Sequence, residues 1–203
     1  MKKNILHGKN IVLGICGGIA AYKSVEILRR LVKLGAKVRV IMTRSATRFV
    51  GPMTFEVLSE NKVCVDLFDG EDNASIRHIA WAEEAHAVLI APATANMVAK
   101  LAHGIADDAL STFMLAVTSP VMVCPSMNSN MFEHPAHRRN LCLCLGQGLC
   151  PCLHFLLGRD DVLGRQLEAL DRLPQHGRPA LLPDDRHVNR VVRLLHELGP
   201  PQL

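Results

Sequence analysis

The sequence predicts an α/β domain, a parallel β-sheet covered by helices on both faces. Short apolar runs rich in β-branched residues alternate with longer stretches of helical periodicity, the signature of repeated βαβ units. The runs are nearly uninterrupted in apolar character, as expected of strands buried on both sides. Only 8 of the 203 residues are aromatic (6 Phe, 1 Tyr, 1 Trp), so the core is aliphatic. At 49% hydrophobic and 21% charged residues, the chain can fill a core of domain size.

The first strand is expected at Asn10–Cys16 (NIVLGIC), running into Gly17-Gly18. A helix follows from Ile19 to Leu34, with Val25, Leu28, Leu31 and Val32 at helical spacing and Gly35 as its stop. Lys37–Thr43 (KVRVIMT) is a second strand and completes a βαβ unit. Pro52 suits the first turn of a helix through Ser59. Ser75–Ala85 reads as a further helix, Ala87–Ala91 as a strand ending at Pro92, and Thr94–His103 and Asp107–Val117 as helices. Pro120–Cys124 (PVMVC) is another strand, ended by Pro125.

Composition excludes several classes of function. The formal charge of +4 is mild and no long block of like charges occurs, which argues against a nucleic-acid binder. No apolar run approaches roughly 18 residues, so no membrane span is expected. The N-terminus carries no signal-peptide pattern, and seven cysteines is an odd number, so reduced thiols in the cytoplasm are the expectation.

Composition changes abruptly near residue 141. Residues 1–140 hold 10 Ile, 8 Met, 8 Lys, 8 Ser and 6 Thr, whereas residues 141–203 hold none of these and contain 17 Leu, 7 Arg and 6 Pro. The missing types are encoded mostly by triplets beginning with A. Residues 142–203 therefore read as a GC-rich frame out of register with the first, or as a divergent Leu-rich appendage. Residues 1–141 are the expected functional domain.

In such sheets the ligand lies outside the carboxyl ends of the strands. Gly17-Gly18 at a strand-to-helix junction would let backbone N–H groups approach an anion, or would simply allow a tight turn. The Gly14-x-x-Gly17-Gly18 spacing is not a dinucleotide fingerprint, and Thr43-Arg44-Ser45 brings no acidic residue for a ribose diol, so a mononucleotide is favoured. Pro92-Ala93-Thr94-Ala95-Asn96 offers small residues against which a flat ring can lie, with Thr94 equally able to cap a helix. Asn128, in Pro125-Ser126-Met127-Asn128, is a neutral amide able to bind a carboxylate, or a loop asparagine. His78, His86 and His103 are isolated histidines for which a structural role is the ordinary reading. Cys142-x-Cys144 and Cys150-x-Cys152 lack the usual zinc spacing, so no metal is expected.

Taken together, the four strand ends resemble the flavin-dependent cysteine decarboxylases, most closely the phosphopantothenoylcysteine decarboxylase domain of bacterial coenzyme A biosynthesis. Gly17-Gly18-Ile19-Ala20-Ala21-Tyr22-Lys23 looks like the family's FMN-phosphate loop. His78-Ile79 is similar to its catalytic His-Ile, and Ala91-Pro92-Ala93-Thr94-Ala95-Asn96 follows at the expected distance. Pro125-Ser126-Met127-Asn128-Ser129-Asn130-Met131-Phe132 resembles its substrate motif, with Phe132 where Trp or Tyr is usual.

The resemblance implies a Rossmann-like (flavodoxin-like) fold and FMN contacts from Gly17, Gly18, Ile19, Thr43, Ser45, Thr94, Ala95, Asn96 and Ser126. It makes His78 the catalytic histidine and Asn128 the ligand of the substrate carboxylate. It also implies a homotrimer or homododecamer with flavin between subunits, so that His78 serves a neighbour's flavin. In the family, oxidation of the substrate's CH₂–SH to a thioaldehyde places the carboxylate β to C=S, and CO₂ then leaves. The expected activity is decarboxylation of 4′-phosphopantothenoylcysteine. The alternatives are decarboxylation of a peptide's C-terminal cysteine, or a non-catalytic regulatory flavoprotein. The family's C-terminal flap, roughly A-C-G followed by G-R-M, has no counterpart in Gly158-Arg159-Asp160-Asp161-Val162-Leu163-Gly164, and no synthetase domain follows.

Overall fold

The computed structural model describes the backbone of residues 6–67 and 74–151. Five strands, β1 (Asn10–Ile15), β2 (Lys37–Met42), β3 (Ala87–Ala93), β4 (Val121–Pro125) and β5 (Leu149–Pro151), form one parallel sheet in the order β2-β1-β3-β4-β5. This is the flavodoxin-like doubly wound order, whose direction of winding reverses between β1 and β3. The helices are α1 (Ala21–Lys33), α2 (Pro52–Ser59), α3 (Ala74–Glu84), α4 (Ala95–His103), α5 (Ala109–Ala116), α6 (Ser129–Glu133) and α7 (Pro135–Gly146). Among the described residues no helix is long and apolar enough to cross a membrane.

The period-two alternation of strand side chains divides the core into two layers. Leu13 and Ile15 of β1, Val38 and Val40 of β2, and Leu89 of β3 meet Ile27 and Leu28 of α1 and Phe55 of α2 on one face. Val12, Ile41, Val88, Ile90 and Val123 meet Met97 and Val98 of α4, Leu110 and Phe113 of α5, and Leu141 of α7 on the other. Burial on both faces explains why the strands read as continuous apolar runs.

Local chemistry sets the helix ends. Gly35, at φ +90°, follows α1 in the left-handed conformation that glycine adopts without strain. Pro52 occupies the first turn of α2. Thr94 caps α4, its Oγ1 accepting from the Met97 N–H at 3.3 Å. Asp108 caps α5 reciprocally with Ser111. Inside the first layer the buried Ser24 hydroxyl donates to the Ala91 carbonyl at 2.7 Å, so the one polar group on the inner face of α1 is satisfied and ties the helix to β3.

The structure differs from the sequence expectation chiefly at the end of β3, at the start of α1 and in four elements that the sequence analysis did not assign. β3 does not end at Pro92 but passes through a cis Ala91–Pro92 bond to Ala93, with a register shift against β4 between Ile90 and Ala93. α1 begins at Ala21 rather than Ile19. A 3-10 turn at Ala46–Arg48 and the elements α6, α7 and β5 had no sequence signal assigned to them. The composition change at residue 141 falls inside α7, where Leu141 and Cys144 are buried in the second layer. The rest of the Leu-rich segment, from residue 152, and the flap position lie outside the described residues.

Phe55 is fully buried and is the principal apolar anchor of α2. Phe55→Ala is expected to cost about 3–5 kcal/mol of stability, read as a lowered urea midpoint with an unchanged slope.

Candidate functional site

The site is built where β1 and β3 diverge. The Thr43 N–H donates to the Ile15 carbonyl at 3.0 Å, and the Cys16 N–H donates to the Pro92 carbonyl at 3.1 Å, so the three loops after β1, β2 and β3 are stitched together at their roots. Gly17 then lies directly on Ser45. A β-carbon on Gly17 would overlap the Ser45 β-carbon and stand only 2.7 Å from its carbonyl carbon, so close backbone approach requires glycine there.

Gly18 differs. A β-carbon on it would meet nothing nearer than the Thr94 methyl at 4.0 Å, so packing does not demand glycine. It opens the N-terminus of α1, which no side chain caps and whose first turn holds no acidic residue. In the first turn the Ala21 and Lys23 N–H groups donate to the Gly18 and Ala20 carbonyls, each at 3.0 Å, so what a 13-residue helix offers an anion here is its positive dipole end and the Gly17–Gly18 turn before it, beside the exposed Ser45. Ile19 is exposed at the same place.

Thr43 holds the β2 loop in shape, its Oγ1 accepting from the Ala46 N–H at 3.3 Å. Arg44, in the loop after β2, is ion-paired with Asp66. The charge beside the cradle is therefore balanced, and Asp66 could not be paired with Arg44 from sequence separation alone.

On the far side of the crevice, Ala95 is half-buried and Asn96 exposed on the first turn of α4. Ser126 is tied to β3, its N–H donating to the Ala93 carbonyl at 2.9 Å. Asn128 is exposed and caps α6. Its Oδ1 accepts from the Asn130 N–H at 2.8 Å, which fixes the amide orientation and leaves Nδ2 as the outward donor. The asparagine thus serves as a turn residue and keeps a donor for a carboxylate.

Cys16, one residue before the cradle, was not singled out by its sequence context. It is buried, and that burial pushes its thiol up to about 12 despite hydrogen bonding with Thr94. It is a neutral packing group rather than a nucleophile at physiological pH.

The structure brings Gly17, Gly18, Thr43, Ser45, Thr94 and Ser126 together at the strand ends. His78 is elsewhere. It sits on α3 and faces a pocket lined with Cys64, Asp66, Leu67, Trp81 and Ala109, which contains none of the other sequence-selected residues. Its Nδ1 is buried and has no hydrogen-bond partner among the described residues. The other two histidines have structural partners: His86 Nδ1 accepts from the Asn10 N–H at 3.1 Å, and His103 Nε2 lies 3.1 Å from Asn140 Oδ1. Cys144 is buried and bonded to the Val98 carbonyl at 3.6 Å.

A family model described as Flavoprotein matches residues 2–148. The coenzyme A biosynthesis bifunctional protein CoaBC of Bacillus subtilis is 47% identical over 146 residues, covering 72% of this chain and 36% of that protein. CoaBC of Borreliella burgdorferi is 49% identical over 133 residues, covering 66% and 34% respectively. The chain thus spans about a third of the length of the curated relatives it matches. Among solved structures, the FMN-dependent cysteine decarboxylase SpaF superposes with a TM-score of 0.67 at 32% identity, over 72% of this chain and 84% of that one.

Gly17→Ala and Gly18→Ala separate the two glycine roles. Gly17→Ala is expected to destabilise the fold by about 1–3 kcal/mol through the overlap with Ser45. Gly18→Ala leaves the thermal midpoint unchanged and weakens binding of a phosphate-bearing ligand, measured by titration.

Proposed function

The chain belongs to the Flavoprotein family, and from that premise we propose that it binds FMN and decarboxylates 4′-phosphopantothenoylcysteine in coenzyme A biosynthesis. The observation that carries the reading is the open, uncapped N-terminus of α1 at Gly18, set where β1 and β3 diverge in a chain 47% identical to CoaBC over the matched region.

The residues present fit the cofactor. Gly17, Gly18 and Ile19 with Ser45 would hold its phosphate, Thr43 would shape that loop, and Thr94, Ala95, Asn96 and Ser126 would line the ring system. Bound FMN supplies the two-electron oxidation that activates the substrate toward loss of CO₂. The chain's own groups do the rest. Asn128 Nδ2 orients the carboxylate as a neutral donor, and unlike a cation it does not strongly stabilise the charge that must be lost with CO₂. His78, whose Nδ1 has no hydrogen-bond partner among the described residues, holds the substrate thiol or moves its proton.

His78 does this for a neighbouring copy. Its pocket holds none of the cradle residues, and Ile19, Tyr22, Phe49 and Met53 are exposed large apolar groups close in sequence to the cradle. A homotrimer with flavin between subunits, assembled further into a dodecamer, would bring the two halves together. A cytoplasmic setting suits the six cysteines that lie outside any disulfide among the described residues.

A second reading, decarboxylation of a peptide's C-terminal cysteine, is favoured by the likeness to SpaF over 84% of that chain. Offering both substrates and measuring CO₂ release distinguishes the two. Product analysis shows whether the reaction stops at an enethiol or continues to 4′-phosphopantetheine.

His78→Asn is expected to lower turnover by at least about 100-fold while FMN stays bound. Asn128→Asp is expected to raise KM sharply by setting like charges together. Mixed oligomers of His78→Asn and Asn128→Ala chains regain activity if the site is shared between copies. Absence of recovery under conditions of subunit exchange would contradict the shared site.

A further inference from the structure

His137 is an unusual group in the second core layer. It lies on the first turn of α7 with 5% of its surface exposed, and neither ring nitrogen has a hydrogen-bond partner among the described residues. Its ring packs on that of Phe132, with centroids 5.4 Å apart and planes inclined at 56°. Phe132 in turn lies on α6, and its N–H donates to the Asn128 carbonyl at 3.0 Å. An unbroken physical path therefore runs from the buried imidazole through the Phe132 ring to the backbone of Asn128.

We infer that His137 is a positioning residue for the Asn128 loop, effective only while its imidazole is neutral, so that acidification releases the loop and weakens substrate binding without loss of flavin. The inference rests on the reading of Asn128 as the ligand of the substrate carboxylate.

The electrostatics support it. Burial lowers the His137 pKa below the ordinary histidine value of about 6.5. Between those two values a released ring takes up a proton and the buried ring does not, so the docked state is favoured above the ordinary value and loses ground as the pH falls through the lowered one. Among the described residues no neighbour offsets this. On the elements packed against α7, the charged or titratable groups are Lys100 and His103 of α4, Glu133 of α6 and Cys150 of β5. Lys100 is paired with Asp107 and Asp108, each at 2.5 Å, and His103 is bonded to Asn140. Glu133 lies 3.8 Å from Arg138. On α7 itself are Arg138, Arg139, Cys142 and Cys144, and at its cap His134, whose Nδ1 accepts from the Ala136 N–H at 3.2 Å. None of these is hydrogen-bonded to His137.

The test uses the full FMN-loaded protein between about pH 8 and about pH 5.5, the range in which histidines change charge. In the wild type, KM is expected to rise on the acid side by up to about tenfold per pH unit, the limit for one linked proton, while flavin absorbance stays with the protein. His137→Phe and His137→Leu remove that limb. His134→Asn, which keeps a capping acceptor, retains it. Amide hydrogen exchange supplies a readout independent of turnover: the Phe132 and His134 N–H groups lose protection at low pH in the wild type but not in the His137 variants. An acid limb that survives in both His137 variants, or flavin lost in step with substrate affinity, would overturn the inference. If no substrate is turned over, the decarboxylase reading fails and the exchange data still decide the role of His137. If neither variant folds, unchanged wild-type protection at low pH overturns it.

Discussion

Gly17 rests on Ser45 with no room for a β-carbon between them, and the architecture of the site follows from that approach. It is permitted by the reversal of winding between β1 and β3, which lets the loop after β1 lean on the loop after β2 while the loop after β3 turns the other way. The crevice so opened has the N-terminus of α1 on one side and that of α4 on the other. The start of α1 lacks a side-chain cap and closes on backbone carbonyls of the Gly18–Ala20 turn, whereas Thr94 caps α4, so the dipole end without a side chain over it is that of α1. The same few hydrogen bonds that join the strand roots hold this asymmetry in place.

Much of the fold was legible because burial on both faces writes itself into a sequence. β1, β2, β3 and β4 are apolar runs ended by glycine, threonine or proline, and α1, α2, α4 and α5 carry either periodicity or clear end signals. α7 escaped because its outward face is rich in arginine while few of its positions are buried, so it has little apolar stripe. α6 is five residues long and β5 three, too short for any period to appear. The continuation of β3 through Pro92 was invisible because proline ordinarily ends a strand, and here a cis bond and a register shift carry the chain past it.

The site was legible where chemistry is local and obscure where it is not. Thr94 and Asn128 each have a capping role that the sequence also allowed, and the cap on Asn128 leaves its Nδ2 available as a donor. The Arg44–Asp66 pair could not be read from the sequence, since the two residues are 22 positions apart and joined only by the fold. His137 gave no sequence signal at all: a single histidine after Pro135 looks like a surface residue until α6 folds over it. His78 was singled out by its resemblance to a family motif, and among the described residues its pocket holds none of the cradle residues, a division that sequence order conceals.

The most direct test of the account is the visible absorbance spectrum of the purified full chain, with the released cofactor identified by chromatography and folding checked by circular dichroism. The account predicts a yellow protein carrying stoichiometric FMN. A folded, colourless protein that takes up no added FMN would contradict it, because the cradle at Gly17 and Gly18 would then be only a tight turn.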